Sequence, residues 1–96
     1  MDLEAAIDAR QMISFVYDGL PRLVQPATLG YTSTGKLTLR GCLVGGESRR
    51  NTLPCWELYT VAKMEAPEPT GDSFETFLCD GYTHSDSGFV QIIAEH

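Results

Sequence analysis

Cysteine is scarce in this chain: three residues, Cys42, Cys55 and Cys79, stand far apart with no C-x-x-C pair. An odd, scattered set makes no disulfide framework and lacks zinc-site spacing, so buried thiols in a reducing compartment are expected. Long apolar runs are also missing, and no window approaches the ~18–20 residues of a membrane span. The N-terminal MDLEAAIDAR carries acids where a secretory signal carries lysine and arginine. These absences predict a cytoplasmic protein without membrane contact. Basic residues stop at Lys63: residues 64–96 hold seven acids and no Lys or Arg, a net of −7. The first 63 residues balance seven basic against six acidic side chains, a net of +1. General nucleic-acid binding is disfavoured, because phosphate affinity needs a basic footprint. Catalytic signatures are lacking too. There is no nucleophile–base pair, no paired-carboxylate pattern and no phosphate loop, since Gly41 to Gly46 is followed by neither helix nor lysine. The reading is not an enzyme, with no cofactor and no metal.

What is present suits one small folded domain. Ninety-six residues with 43% apolar and 21% charged side chains bury enough surface to fold without staples, but not enough for two cores. Residues 2–11 predict a short helix, with Asp2 as cap and Leu3, Ala6, Ile7 and Arg10 on one face. Ile13 to Tyr17 alternates as a strand, Asp18-Gly19 signals a hairpin turn, and Arg22 to Gln25 resumes as a strand. Pro26 ends that strand or marks an edge or bulge. Leu29 to Thr32 and Lys36 to Val44 flank the loop Ser33-Thr34-Gly35, residues 45–54 read as a polar loop, and Trp56 to Met64 closes the run. Short strands at close spacing, without helical crossovers, predict a mainly β (α+β) fold, a small antiparallel β-barrel behind one short helix.

The chain is read as a single domain over 1–96, with a barrel core at 5–64, a proline-containing break at 65–71 and an acidic accessory segment at 72–96. Pro67 and Pro69 cannot donate to a ladder, hence the break. Beyond it, Ser73–Leu78 suits a short helix or strand, Gly81–Gly88 a loop and Phe89–Ala94 a final strand. In the strand from Trp56, Trp56 and Leu58 share one face and Tyr59 and Val61 the other. Apolar side chains on both faces predict that the C-terminal third packs over the barrel and is no free tail.

The order of residues resembles the WYL domain family. The likeness runs through Ala6-Ile7, Ile13-x-Phe15-x-Tyr17-Asp18-Gly19, Arg22-x-Val24-x-Pro26 and Leu29-Gly30-Tyr31. It continues through Gly35-Lys36-Leu37-x-Leu39-Arg40-Gly41 and Trp56-Glu57-Leu58-Tyr59-x-Val61-x-Lys63-Met64, covering about residues 5–64. The resemblance implies an Sm-like, SH3-type barrel serving as a ligand-sensing or regulatory module of bacteria and their phages. It also implies a nucleotide or oligonucleotide ligand and a partner protein in transcription or defence. The chain departs from the family pattern at Leu37 and Thr38, where that pattern has tryptophan and tyrosine. It departs again at Thr60 and Lys63, where the pattern has arginines, and neither Thr nor Lys reproduces the bidentate grip of Arg on an anion. No helix-turn-helix pair is present, so direct sequence-specific DNA binding is not expected.

Arg22, Arg40 and Lys63, with Tyr31 as a stacking surface, are the candidate ligand-binding residues; solvated strand faces are the plain alternative. Arg49 and Arg50 offer a clamp in a Gly-rich loop. His84-Ser85-Asp86 invites a metal or triad reading, but neighbours along an extended chain point apart, and a turn is the better account. A second function stays open. The acidic section 64–96 either presents carboxylates to a basic protein partner, as a homodimer or inhibitor would, or lies over the basic residues of the barrel.

Overall fold

Asp2 is the first fixed point of the chain. Its carboxylate accepts from the Ala5 amide at 3.1 Å and caps a single helix, α1 (Leu3–Asp8), with Glu4 in the first turn. Leu3, Ala6 and Ile7 are buried along one side, and the left-handed backbone of Arg10 (φ 53°) turns the chain into the sheet. The computed structural model describes residues 1–46, 52–82 and 84–96, and the candidates Arg49 and Arg50 lie outside the described residues. Six strands follow: β1 (Gln11–Tyr17), β2 (Leu20–Tyr31), β3 (Leu37–Gly46), β4 (Cys55–Thr60), β5 (Glu65–Ser73) and β6 (Gln91–Glu95).

Asp18 and Gly19 both take positive φ (53° and 75°), the backbone of a two-residue hairpin loop that follows the natural twist of its strands. The loop sets Tyr17 opposite Leu20 and Ile13 opposite Val24. β2 does not end at Pro26. The pairing with β3 shifts between Pro26 and Thr28, so the proline sits at a bulge and the strand runs on to Tyr31. All pairs are antiparallel in the order β4-β3-β2-β1-β5, and β6 returns to pair with the last part of β2. The result is an open sheet: among the described strands, β4 and β5 are not paired to each other.

Two expectations are corrected here. Residues 65–73 form a strand where Pro67 and Pro69 predict a break. Among the described strands β5 is an edge strand bonded only to β1, through a register that slips twice, so its missing N–H groups cost no second neighbour anything. The strand from Trp56 stops at Thr60, and Val61–Lys63 form a 3₁₀ turn before β5.

Ile13, Phe15, Val24, Leu29, Leu39, Leu43 and Tyr59 pack on one face of the sheet, together with Leu3, Ala6 and Ile7 of α1. Because side chains alternate, this face fixes the other. Gln25, Arg40, Cys42, Trp56 and Leu58 all point away from the core. Gly30 matters to the arrival of β6. A Cβ there would collide with the Gln91 carbonyl and lie 3.0 Å from the Phe89 ring. Gly30→Ala is therefore expected to cost about 1–3 kcal/mol through forced displacement. Hydrogen exchange should show protection lost first at residues 91–95.

Candidate functional site

The face turned away from the core is organised by register. Gln25 pairs with Cys42, and Cys42 with Trp56, so these three side chains form one row across β2, β3 and β4. Each seizes a successive part of the segment that follows β5. The Gln25 amide donates to the Thr76 carbonyl at 3.1 Å, and its oxygen accepts from the Leu78 amide at 2.8 Å. Cys42 is joined to Cys79 in a disulfide. The indole Nε1 of Trp56 donates to the Asp80 carbonyl at 2.6 Å. Cys42 and Cys79 are thus not the buried thiols expected from their spacing. They stand 37 positions apart in sequence, and only the folding of residues 74–82 back over β3 brings them together.

The next row holds Thr28, Arg40 and Leu58. Arg40 Nε donates to Asp86 Oδ2 at 2.7 Å, while Asp86 Oδ1 accepts the Gly88 amide at 2.9 Å. Gly81 and Tyr82 follow the first anchored row, and His84 and Ser85 precede the second. A cleft of about 180 Å³ opens beneath them, lined by Arg40, Trp56, Gly81, Tyr82 and Asp86. Its aromatic side is a stack of rings. Phe77 lies 4.9 Å from Tyr82 and 5.1 Å from Trp56, and Tyr82 donates its hydroxyl to the His96 carbonyl at 2.9 Å. His96 closes the far side of the stack, 4.6 Å from Phe77 and stacked on Phe74.

Electrostatics follow from these contacts. Burial pushes the Asp86 carboxyl up, but the Gly88 amide and Arg40 together outweigh it, and the net shift is downward. Burial, then Glu95 and Asp86, push the Tyr82 phenol up, so it stays a neutral donor. Burial and then Arg10 hold His96 below its ordinary value. A carboxyl whose pKa falls on folding stabilises the fold above its unfolded value, near ~3.9, and loses that contribution as acid protonates it. The difference in urea midpoint between the native chain and Asp86→Asn is thus expected to be present at pH 6 and to shrink as the pH falls below the ordinary carboxyl value. Both groups are partly exposed, so the difference should stay within about 1 kcal/mol.

The four candidates from the sequence fall in four places. Arg40 lines the cleft. Arg22 shares the core-facing phase of Val24 and is buried, its guanidinium 5.9 Å from the Tyr17 ring and 6.0 Å from that of Tyr59. It donates to the Tyr17 carbonyl at 3.3 Å, and its Nε is buried without a partner. Arg22 and Arg40 thus occupy opposite faces. Tyr31 lies at the far end of β2, opposite Leu37 and Gln91. Lys63 sits in the 3₁₀ turn, beside an apolar depression shared with Lys36, Leu37, Val61 and Ala62. In the run His84-Ser85-Asp86, His84 meets Glu95 at 3.1 Å while Asp86 turns to Arg40. Among the described residues, no three His, Cys, Asp or Glu side chains gather as a metal site.

Trp56, Tyr82 and Asp86 were not among those candidates. Trp56 shares the phase of Leu58, which points to its face, but its place beside Arg40 depends on pairing register. Tyr82 and Asp86 come from irregular chain that has no period to read. No helix among the described residues is long and apolar enough to cross a membrane. Comparison with family models, curated proteins and solved structures finds no match.

Proposed function

We propose that this chain is a non-catalytic, ligand-sensing regulatory module of the WYL-like type, and that its ligand binds in the cleft that Arg40 and Trp56 of the outer sheet face form with Gly81, Tyr82 and Asp86. The observation that carries this reading is the cleft itself: aromatic rings and a fixed guanidinium converge on one small concave site. Short helix, antiparallel strands in the order β4-β3-β2-β1-β5 and a 3₁₀ turn before β5 support the Sm-like, SH3-type architecture that the sequence resemblance implies.

A binding role agrees with the chemistry of the cleft better than a catalytic one. Both Asp86 oxygens accept hydrogen bonds, and the Trp56 and Tyr82 donors are engaged. Of these polar groups, only the Arg40 Nη nitrogens keep hydrogens without a partner among the described residues. Such a site holds a guest and moves no proton. The module then acts through a partner protein in transcription or defence, since the one α-helix among the described residues spans only six residues.

A thermal-shift panel of nucleotides, nucleosides, organic acids, amino acids and short oligonucleotides tests this reading. One class is expected to raise the melting temperature by mass action, about 2.7 kcal/mol of stabilisation at a hundredfold excess over Kd. Trp56→Ala should abolish the shift while leaving the strand signal in circular dichroism. A flat response across the panel would refute the reading.

The second reading, a protein-interaction module or homodimer without a small ligand, draws on β5. It pairs on one side only and exposes Glu65, Glu68 and Asp72. A basic partner strand would complete that edge, and its binding should weaken steeply with salt.

A further inference from the structure

The cleft carries more information than its existence. Its volume, about 180 Å³, is comparable to the ~150 Å³ cavity that accommodates a benzene ring, so it admits one flat ring system and little else. Trp56 and Tyr82 supply ring surface without a spare donor, because the indole N–H is bonded to the Asp80 carbonyl and the phenol O–H to the His96 carbonyl. What such walls offer a guest is stacking. Among the described side chains that line the cleft, the donors without a partner are the Arg40 Nη groups, and the Nε bond to Asp86 orients them. Gly88 packs closely against this pair. A Cβ at that position would lie 3.4 Å from Arg40 Nη2 and 3.2 Å from Asp86 Oδ1.

Charge decides between guests. Asp86 already balances Arg40, at 2.7 Å, so the cleft has no net positive charge to give an anion. The segment that roofs it belongs to the stretch from residue 64 onward, with seven acids and no Lys or Arg. A phosphate brought to the mouth would lie within a Debye length, about 8 Å, of some of that negative charge. The Arg40 Nη groups can only donate, so an ammonium, which also only donates, finds no acceptor in them.

From this geometry we propose that the cleft takes a flat, uncharged heteroaromatic ring of nucleobase size, stacked on Trp56 with an acceptor edge toward the Arg40 Nη groups, and selects against the phosphorylated form. The inference rests on the ligand-binding reading above and narrows it to one chemical class. A guanidinium meeting a carbonyl oxygen and an adjacent ring nitrogen is the pairing Arg makes with the acceptor edge of guanine. Guanosine is accordingly the first probe, with its open side leaving the ribose in solvent.

The test uses the native chain labelled with ¹⁵N at 0.15 M salt. Guanosine, other nucleosides, guanosine 5′-monophosphate and inorganic phosphate are titrated separately while the Trp56 indole and Arg40 Nε resonances are followed. Trp56 is the sole tryptophan, so its indole signal is unambiguous. At least one nucleoside is expected to shift both resonances, with its 5′-monophosphate binding at least tenfold more weakly and phosphate leaving both unmoved. Asp86→Asn should narrow that tenfold preference. Arg40→Gln should weaken nucleoside binding at least tenfold, and its spectrum outside the cleft reports whether it is folded. Tighter binding of the monophosphate, or shifts produced by phosphate alone, would overturn the inference. If heterocycles fail while another class in the thermal panel binds at Trp56, the ligand class is wrong and the binding role stands. If nothing in either experiment binds, both fall.

Discussion

Replacing Tyr59 by alanine is expected to lower the stability of the fold by about 3–5 kcal/mol, the usual cost of deleting a buried aromatic ring. Tyr59 is 1% exposed and sits at the centre of an aromatic group. Its ring stands edge-on to Phe15 at 4.9 Å and to Tyr17 at 5.0 Å. Edge-on contacts of this kind add to area burial, because the positive rim of one ring meets the negative face of the next. The loss would also strip Arg22 of one of its two aromatic neighbours, leaving a buried guanidinium less compensated. The hydroxyl contributes nothing comparable. Its oxygen is buried without a hydrogen-bond partner, and burial pushes its pKa far above the ordinary value, ahead of an opposing pull from Arg22. Tyr59→Phe is therefore expected to change stability by no more than about 1 kcal/mol, and toward greater stability if the unsatisfied oxygen dominates. Urea unfolding of the two variants separates ring from hydroxyl. Equal losses would place the stabilisation in the hydroxyl and contradict this account.

The same residue shows what a sequence discloses. Strand periodicity puts Tyr59 opposite in phase to Trp56 and Leu58, and the structure has Tyr59 in the core with Leu58 exposed. The Asp2 cap and the Asp18-Gly19 turn were legible for a similar reason: each depends on a few adjacent residues. Arg22 was legible only in part. Its phase with Val24 points inward, but arginine reads as surface until the Tyr17 and Tyr59 rings that accept it are known. Pro67 and Pro69 argued against a strand, and that argument fails where only one neighbour must be satisfied. The cleft was least legible. It is made by cross-strand rows and by irregular chain at residues 74–82 and 84–90, and both depend on contacts between residues far apart in sequence. Packing of the C-terminal third on the sheet was foreseeable from its apolar side chains. The residues it would touch were not.

Severing the link between Cys42 and Cys79 should produce an effect nearly as large as loss of the Tyr59 ring. Cys42→Ser or Cys79→Ser is expected to cost about 3–4 kcal/mol, the chain-entropy value for a closed loop of 37 residues. The double variant should cost no more than the worse single one, because the same cross-link is lost once. The damage should also be local. Residues 76–80 keep the Gln25 and Trp56 hydrogen bonds but lose the covalent tie between them, whereas the β1–β2–β3 pairings do not involve the disulfide. Hydrogen exchange is therefore expected to rise at residues 76–82 well before it rises in β1 to β3. Trp56 lies opposite Cys42 across β3 and β4, so its emission should change in step with that local opening. The chemistry can be counted independently. Alkylation of the unfolded, unreduced native chain should label one cysteine, Cys55, and reduction beforehand should raise the count to three. Three labels without reduction, together with unchanged stability in the serine variants, would show that the segment is held by its hydrogen bonds and rings alone. The cleft would then owe its shape to Gln25, Arg40 and Trp56 and not to sulfur.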